Sequence, residues 1–271
     1  MTTQTTAKSD VRDFWNEASC GEALLLPSED KAGFKAQSAE RYRLEPYIPG
    51  FARFAETTGQ DVLEIGVGLG ADHQRFAEAG ARLSGIDLTD RAIAHTGRRL
   101  ALFELASHLQ VGDAENLPFA DASFDVVYSW GVIHHSPDTA RAAREILRVL
   151  RPGGRFAVMV YQRRSLVGIM LWLRYALLAG RPLTSLDTIY ARHLESPGTK
   201  AYSEAEGAAL FAGARTVQVR SVLTHGDLLD SGAGQRHEGA LLDLARKLWP
   251  RKLLAEALPD WGLFLLIEGT K

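Results

Sequence analysis

Residues 61–71 read DVLEIGVGLGA, a short apolar run that stops in three alternating glycines. Val62, Leu63 and Ile65 suit a short buried strand. Gly66, Gly68 and Gly70 permit a tight strand-to-helix turn, bring backbone close to a ligand and aim the N–H groups of the next helix at it. Alone, this loop implies only a nucleoside-type ligand at the end of a strand. Read as G-x-G-x-x-A it also satisfies a dinucleotide fingerprint, and a purely structural glycine-rich turn is the remaining alternative.

Outward from the loop the chain alternates. Further strands are predicted at 82–87 (RLSGID), 123–129 (SFDVVYS) and 155–161 (RFAVMVY), with a short one at 109–111. Helical spacing occupies 72–79, 90–102 and 139–150. In the last of these Ala143, Ile146, Leu147 and Leu150 share one face, while Arg141, Arg144, Glu145 and Arg148 lie mostly off it. Strands alternating with helices imply right-handed crossovers and a doubly wound α/β fold, here a seven-stranded, mostly parallel sheet covered on both faces. Two late strands, 216–223 and 263–268, are expected as an edge hairpin that completes it.

Four regions follow from this pattern. Residues 1–59 form a helical cover, with helices at 10–17 and 38–47, and residues 60–161 form the binding core. Residues 162–202 form a helical lid insertion. Residues 203–271 complete the sheet, with a helix at 204–211 capped by Ser203 and a cap insertion at 224–261 carrying a helical pattern over 238–249.

Composition narrows the function. The 271 residues carry 31 Lys and Arg against 33 Asp and Glu, a net charge of −2, so no excess positive charge serves a nucleic-acid backbone. Cys20 is the single cysteine, which excludes an internal disulfide and a multi-thiol mechanism and points to a reducing, cytoplasmic setting. The opening MTTQTTAKSD is too polar for a signal peptide. The apolar window 165–180 is shorter than the roughly 20 residues of a spanning helix and contains Arg174.

The motifs downstream of the glycine loop remove most of its ambiguity. Glu64-x-Gly66-x-Gly68-x-Gly70, Asp87 in GIDLT, GDAENLPF at 112–119, SFDVVYSWGVIHHSPD at 123–138 and LRVLRPGGRF at 147–156 occur in order. Together they resemble the motif set of class I S-adenosylmethionine-dependent methyltransferases. The wording is closest to the branch that holds ubiquinone and menaquinone C-methyltransferases and many small-molecule methyltransferases. The resemblance covers residues 62–160 and leaves the flanks, where the substrate is recognised, largely outside it.

The resemblance implies S-adenosylmethionine (SAM) as cofactor, S-adenosylhomocysteine (SAH) as product, and a set of cofactor-binding positions. Glu64 orients the loop of Gly66, Gly68 and Gly70 or accepts from the methionine amino group. Asp87 takes the ribose hydroxyls, with Leu88 beside it. Asp113, Ala114 and Glu115 meet the adenine, and Trp130 and Gly131 line the methionine portion. Arg41 and Tyr42 stand where relatives clamp the cofactor carboxylate. Helix capping is the plain alternative for the two aspartates, core packing for Trp130 and a solvated surface position for Arg41.

His134 and His135 follow the fourth strand and face the transferred methyl, where an imidazole can act as a general base. The alternative is a histidine that only packs or fixes a loop. No metal site is predicted, because an adjacent pair needs further ligands and no H-x-x-x-H or Cys cluster accompanies it. On a single helix Arg163, Met170, Arg174 and Arg181 would fall near one line of an otherwise apolar segment. That segment is either a lid at the mouth of a lipophilic pocket, with peripheral membrane contact, or a buried or dimer-forming helix.

The expected activity is methyl transfer to an O, N or C nucleophile of a small, in one reading lipophilic, molecule. The rivals are a non-catalytic SAM-binding scaffold and a methyltransferase acting on a macromolecule. A monomer or homodimer without nucleic-acid partner is expected.

Overall fold

The computed structural model describes residues 8–231 and 246–271. Strand β1 (Asp61–Ile65) is central, parallel to β2 (Arg82–Asp87) on one side and to β4 (Phe124–Trp130) on the other. The path across the sheet is β3 (His108–Val111), β2, β1, β4, β5 (Leu150–Gln162), β8 (Phe264–Thr270) and β7 (Thr216–Val222), and only β8 runs against the rest. The expected seven strands are those on this path. An eighth, β6 (Ala201–Tyr202), joins the end of β5. It fits there because β4 stops at Trp130, opposite Met159, and leaves the last residues of β5 without a neighbour on that side. The late pair is antiparallel as expected, but β8 is interior, between β5 and β7.

Period-two alternation divides the core between the two faces. Leu63 and Ile65, Val127, Phe156 and Val158, and Leu265 and Ile267 share one face with α7 (Thr139–Val149), which presents Ala142, Ala143, Ile146 and Val149. Val62, Val126 and Tyr128, Ala157 and Met159, and Leu266 share the other with Phe51 of α4 (Ile48–Ala52) and Phe76 of α5 (Ala71–Glu78). Each large apolar side chain so buried stabilises the fold by about 1.5–3 kcal/mol.

The flanking segments depart most from the sequence pattern. The second N-terminal helix, α3 (Lys31–Leu44), starts seven residues before the predicted position 38, because Asp30 caps it by accepting from the Gly33 N–H at 2.7 Å. The line of arginines over 163–181 does not form. Ser165 caps α8 (Leu166–Trp172), which places Arg163 outside the helix, paired with Asp187 and Glu206. The next turn, Leu173–Leu177, is a π-helix, which breaks the angular register, and Arg181 lies beyond it. Ser203 caps α10 (Glu204–Leu210) in a capping box with Glu206. The pattern at 238–249 lies outside the described residues up to 245. Before it, buried Asp227 in α11 (His225–Leu228) accepts from the N–H groups of Thr224, Val167 and Leu263, tying α8 and the start of β8 together. Among the described residues no helix is long and apolar enough to cross a membrane.

Candidate functional site

The C-terminal ends of β1, β2 and β4 open on a cavity of about 530 Å³. At its rim the three loop glycines are required for different reasons. All have positive φ, 83° at Gly66, 51° at Gly68 and 74° at Gly70. A Cβ on Gly66 would lie 2.1 Å from Val132 Cγ2, and one on Gly70 would lie 2.8 Å from Thr96 Oγ1. Gly68 meets no such obstacle, and its open side is where a ligand can approach the backbone. Its N–H donates to Asp87 Oδ2 at 3.2 Å, while Asp87 Oδ1 accepts from the backbone and hydroxyl of Thr89. Thr89 in turn caps α6 (Asp90–Leu102). Burial pushes the Asp87 carboxyl up from the usual carboxylate range. Leu88 lines the cavity beside it.

Asp113 and Ala114 also line the cavity. Lys8, on α1 (Lys8–Glu17), bridges Asp113 at 2.5 Å and Glu115 at 2.7 Å, so the first helix reaches across the mouth. Glu115 is turned away from the cavity, accepting from the Ser136 hydroxyl and from the Asp138 N–H at 2.9 Å.

A second group of residues, mostly silent in the sequence, surrounds Asp72 on α5. Arg41 grips Asp72 with two bonds, 2.7 and 3.2 Å, and reaches Glu45 at 3.2 Å. Tyr42 and Tyr128 each donate to the same carboxylate at 2.9 Å. Burial would raise the Asp72 pKa, but Arg41 and the two phenols outweigh it and hold the group below its ordinary value. Arg41 therefore faces the cavity with its guanidinium already paired, and Tyr42 is a buttress of Asp72 outside the lining. Burial pushes Glu45 up to about 7 against the opposing pull of Arg41.

Glu64 is paired differently. Its Oε2 lies 2.8 Å from His73 Nδ1, and His73 Nε2 lies 2.8 Å from Ser107 Oγ. The Ser107 hydroxyl hydrogen goes to the Leu83 carbonyl, so Ser107 must accept from Nε2–H and Nδ1 is left bare. Glu64 then donates as a neutral acid. The titration directions agree, since burial and Asp72 push Glu64 well up while burial holds His73 down at about 3.

The inner end of the cavity is aromatic. Trp130 both lines it and packs, stacked on Tyr47 at 6.0 Å and edge-on to Phe264 at 5.6 Å. Gly131 (φ 74°) turns the chain out of β4. Met159, Tyr161, Phe264 and Trp15 complete the walls, with Cys20, Glu45, Glu195 and His135 as polar groups. Cys20 is exposed at the cavity wall. The two histidines separate: His135 faces the cavity, whereas His134 is fully buried behind it against Tyr161, ring centroids 4.2 Å apart.

The structure thus brings Arg41, Glu64, the three glycines, Asp87, Leu88, Asp113, Ala114, Trp130, Gly131 and His135 to one cavity, and leaves Tyr42, Glu115 and His134 out of its lining. Asp72 was legible only as an acid after the loop, and Glu195 carried no signal.

Residues 63–158 match a family model described as a methyltransferase domain. A probable S-adenosylmethionine-dependent methyltransferase of Mycolicibacterium smegmatis is 33% identical over 139 residues, 51% of this chain and 52% of the relative. The 27-O-demethylrifamycin SV methyltransferase of Amycolatopsis mediterranei is 36% identical over 103 residues, 37% of this chain and 38% of the relative. The chain spans about half or less of the length of these curated relatives. Among solved structures, phosphoethanolamine N-methyltransferase 2 of Haemonchus contortus in complex with SAH superposes with a TM-score of 0.60 at 18% identity, over 96% of this chain and 60% of the other, which shows the fold.

Proposed function

We propose that this chain, whose residues 63–158 form a class I S-adenosylmethionine-dependent methyltransferase domain, uses SAM to methylate an O, N or C nucleophile of a small molecule. The observation that carries the proposal is the continuity of one cavity from the glycine loop, Asp87 and Asp113 to the aromatic end at Trp15, Trp130, Tyr161 and Phe264. The rim offers what a nucleoside needs: an exposed backbone turn at Gly68, a ribose acid at Asp87 and an adenine-side acid at Asp113, which Lys8 pairs in this structure. Glu64, Trp130, Gly131 and Arg41 border the methionine portion. The inner end takes the acceptor, and its aromatic walls favour an apolar or aromatic molecule. The Amycolatopsis relative is named as a methyltransferase of 27-O-demethylrifamycin SV.

Chemistry in such a site rests mainly on alignment. The sulfonium is already activated, so holding the acceptor in line with the C–S bond and excluding water supply most of the rate, with effective molarities of order 10⁵–10⁸ M attainable. The new bond forms at the methyl carbon and the C–S pair stays on sulfur. A base is optional; His135 and Glu45 line the cavity.

Calorimetry with SAH tests the cofactor half. Asp87→Ala and Asp113→Ala are each expected to weaken binding at least about tenfold, the loss of one or two hydrogen bonds to a charged group. Unchanged affinity in Asp113→Ala would sink that assignment. Methyl transfer from labelled SAM across a panel of small phenols, amines and acids tests the other half, and binding without turnover across the panel would favour a non-catalytic scaffold.

A further inference from the structure

Beside the inner end of the cavity His134, His135 and Glu195 each offer a ligand atom, all within 4.8 Å of one another. They come from a 3₁₀ turn, Ile133–His135, and from the stretch between α9 (Leu186–His193) and β6, so the third member is brought in from about 60 residues away. His134 is fully buried and neither of its ring nitrogens has a hydrogen-bond partner. Unpaired buried polar groups cost about 1–3 kcal/mol each, so an imidazole left bare at both nitrogens needs a ligand.

Thr199 gives its hydroxyl hydrogen to the Ser196 carbonyl at 2.7 Å, so toward His135 Nδ1, 3.1 Å away, it can only accept. Ser196 Oγ sits on the same nitrogen at 2.8 Å. On the other side of the ring Nε2, a buried atom with no hydrogen-bond partner, lies 3.3 Å from Glu195 Oε2. Ligands about 2.0–2.1 Å from a tetrahedral ion stand roughly 3.3 Å apart, the same spacing.

We propose that His134, His135 and Glu195 bind one divalent cation of the zinc class, with a fourth position open to the cavity. The set is two imidazoles and a carboxylate, the combination of hydrolytic zinc sites, and borderline d-block ions prefer it over magnesium or calcium. Outer partners are in place: Ser196 and Thr199 fix His135, and the Tyr161 hydroxyl donates to Glu195 Oε2 at 2.6 Å. An oxygen or nitrogen donor of the acceptor can reach the open position. Ion binding does not depend on methyl transfer; only this use of the ion rests on the function proposed above.

The test uses the full chain stripped with a chelator, titrated with Zn²⁺ against a chromophoric competitor and with Co²⁺ by visible absorption. One ion per chain and the intense visible bands of tetrahedral Co²⁺ are expected. Glu195→Gln and His135→Ala should each weaken Zn²⁺ at least about tenfold. Glu195→Gln is nearly isosteric, so it keeps the test decisive if a His134 variant fails to fold. No tight ion in the wild type overturns the proposal, as does equal affinity in Glu195→Gln. Retained Zn²⁺ with no SAH binding would overturn the methyl-transfer function and leave the ion site standing.

Discussion

The carboxyl of Glu64 is uncharged because of a hydrogen-bond relay in which the Leu83 carbonyl accepts from Ser107, Ser107 from His73 and His73 from Glu64. The pair holds one proton when folded, on Glu64. When unfolded it also holds one between about pH 4.3 and 6.5, on the histidine. Within that window the pair gives stability no pH slope. Above about 6.5 the unfolded histidine releases its proton while Glu64 keeps its own, so stability falls as pH rises, by up to about 1.4 kcal/mol per pH unit. Urea midpoints from pH 6.5 to 9 should show this loss in the wild type and not in Glu64→Gln, whose amide still donates to His73; equal slopes would refute a neutral Glu64. The glycines differ at the same scale. Gly68→Ala is expected to cost about 1–2 kcal/mol for a left-handed residue, and Gly66→Ala more, because its Cβ would also collide with Val132. Denaturant unfolding ranks the two. The run of glycines was plain in the sequence, but the collision that makes Gly66 stricter than Gly68 comes from a residue 66 positions later.

Arg99 illustrates what one helix does for another. It is fully buried on α6, pushed down to about 10 by burial, and donates to Gln74 on α5, to Gln37, the Phe34 carbonyl and Ser38 on α3, and to the Leu69 carbonyl inside the glycine loop. Arg99→Leu leaves these acceptors unpaired and is expected to cost at least about 3 kcal/mol in urea unfolding. Because Leu69 sits in the loop, SAH affinity should fall as well, and Arg99→Lys should recover only part of either loss. The helical period over 90–102 was readable, yet nothing in it distinguished Arg99 from its neighbour Arg98, about 100° away around the helix, since which arginine points inward depends on where α3 lies. The segment at 163–181 failed for a local reason. A serine cap at Ser165 and the π-turn at Leu173–Leu177 each shift the angular register, and a pattern drawn on an ideal helix cannot anticipate either.

Across the whole molecule the cavity is closed by parts far apart in the chain: Lys8 on Asp113, Trp15 edge-on to His135 at 5.3 Å, and Glu195 and Phe264 at the inner end. A ligand that bridges them should stabilise the fold as a unit. SAH at 100 times its Kd is expected to add about 2.7 kcal/mol and raise the thermal midpoint by several degrees, with at most about half that gain in Asp87→Ala at the same concentration. Scanning calorimetry reads both. The sequence by itself determined the alternating α/β order, the glycine loop, the acids at the ends of β2 and β3 and the motifs that resemble those of methyltransferases. These depend on short spacings and on period-two or period-3.6 patterns that neighbouring residues set among themselves. Tertiary structure alone decided that Arg41 is paired with Asp72, that Glu64 is neutral, that His134 is buried while His135 faces the cavity, and that Glu195 joins them. Charge state and access depend on which distant side chain lies within about 3 Å, and chain-local spacing carries no information about that distance.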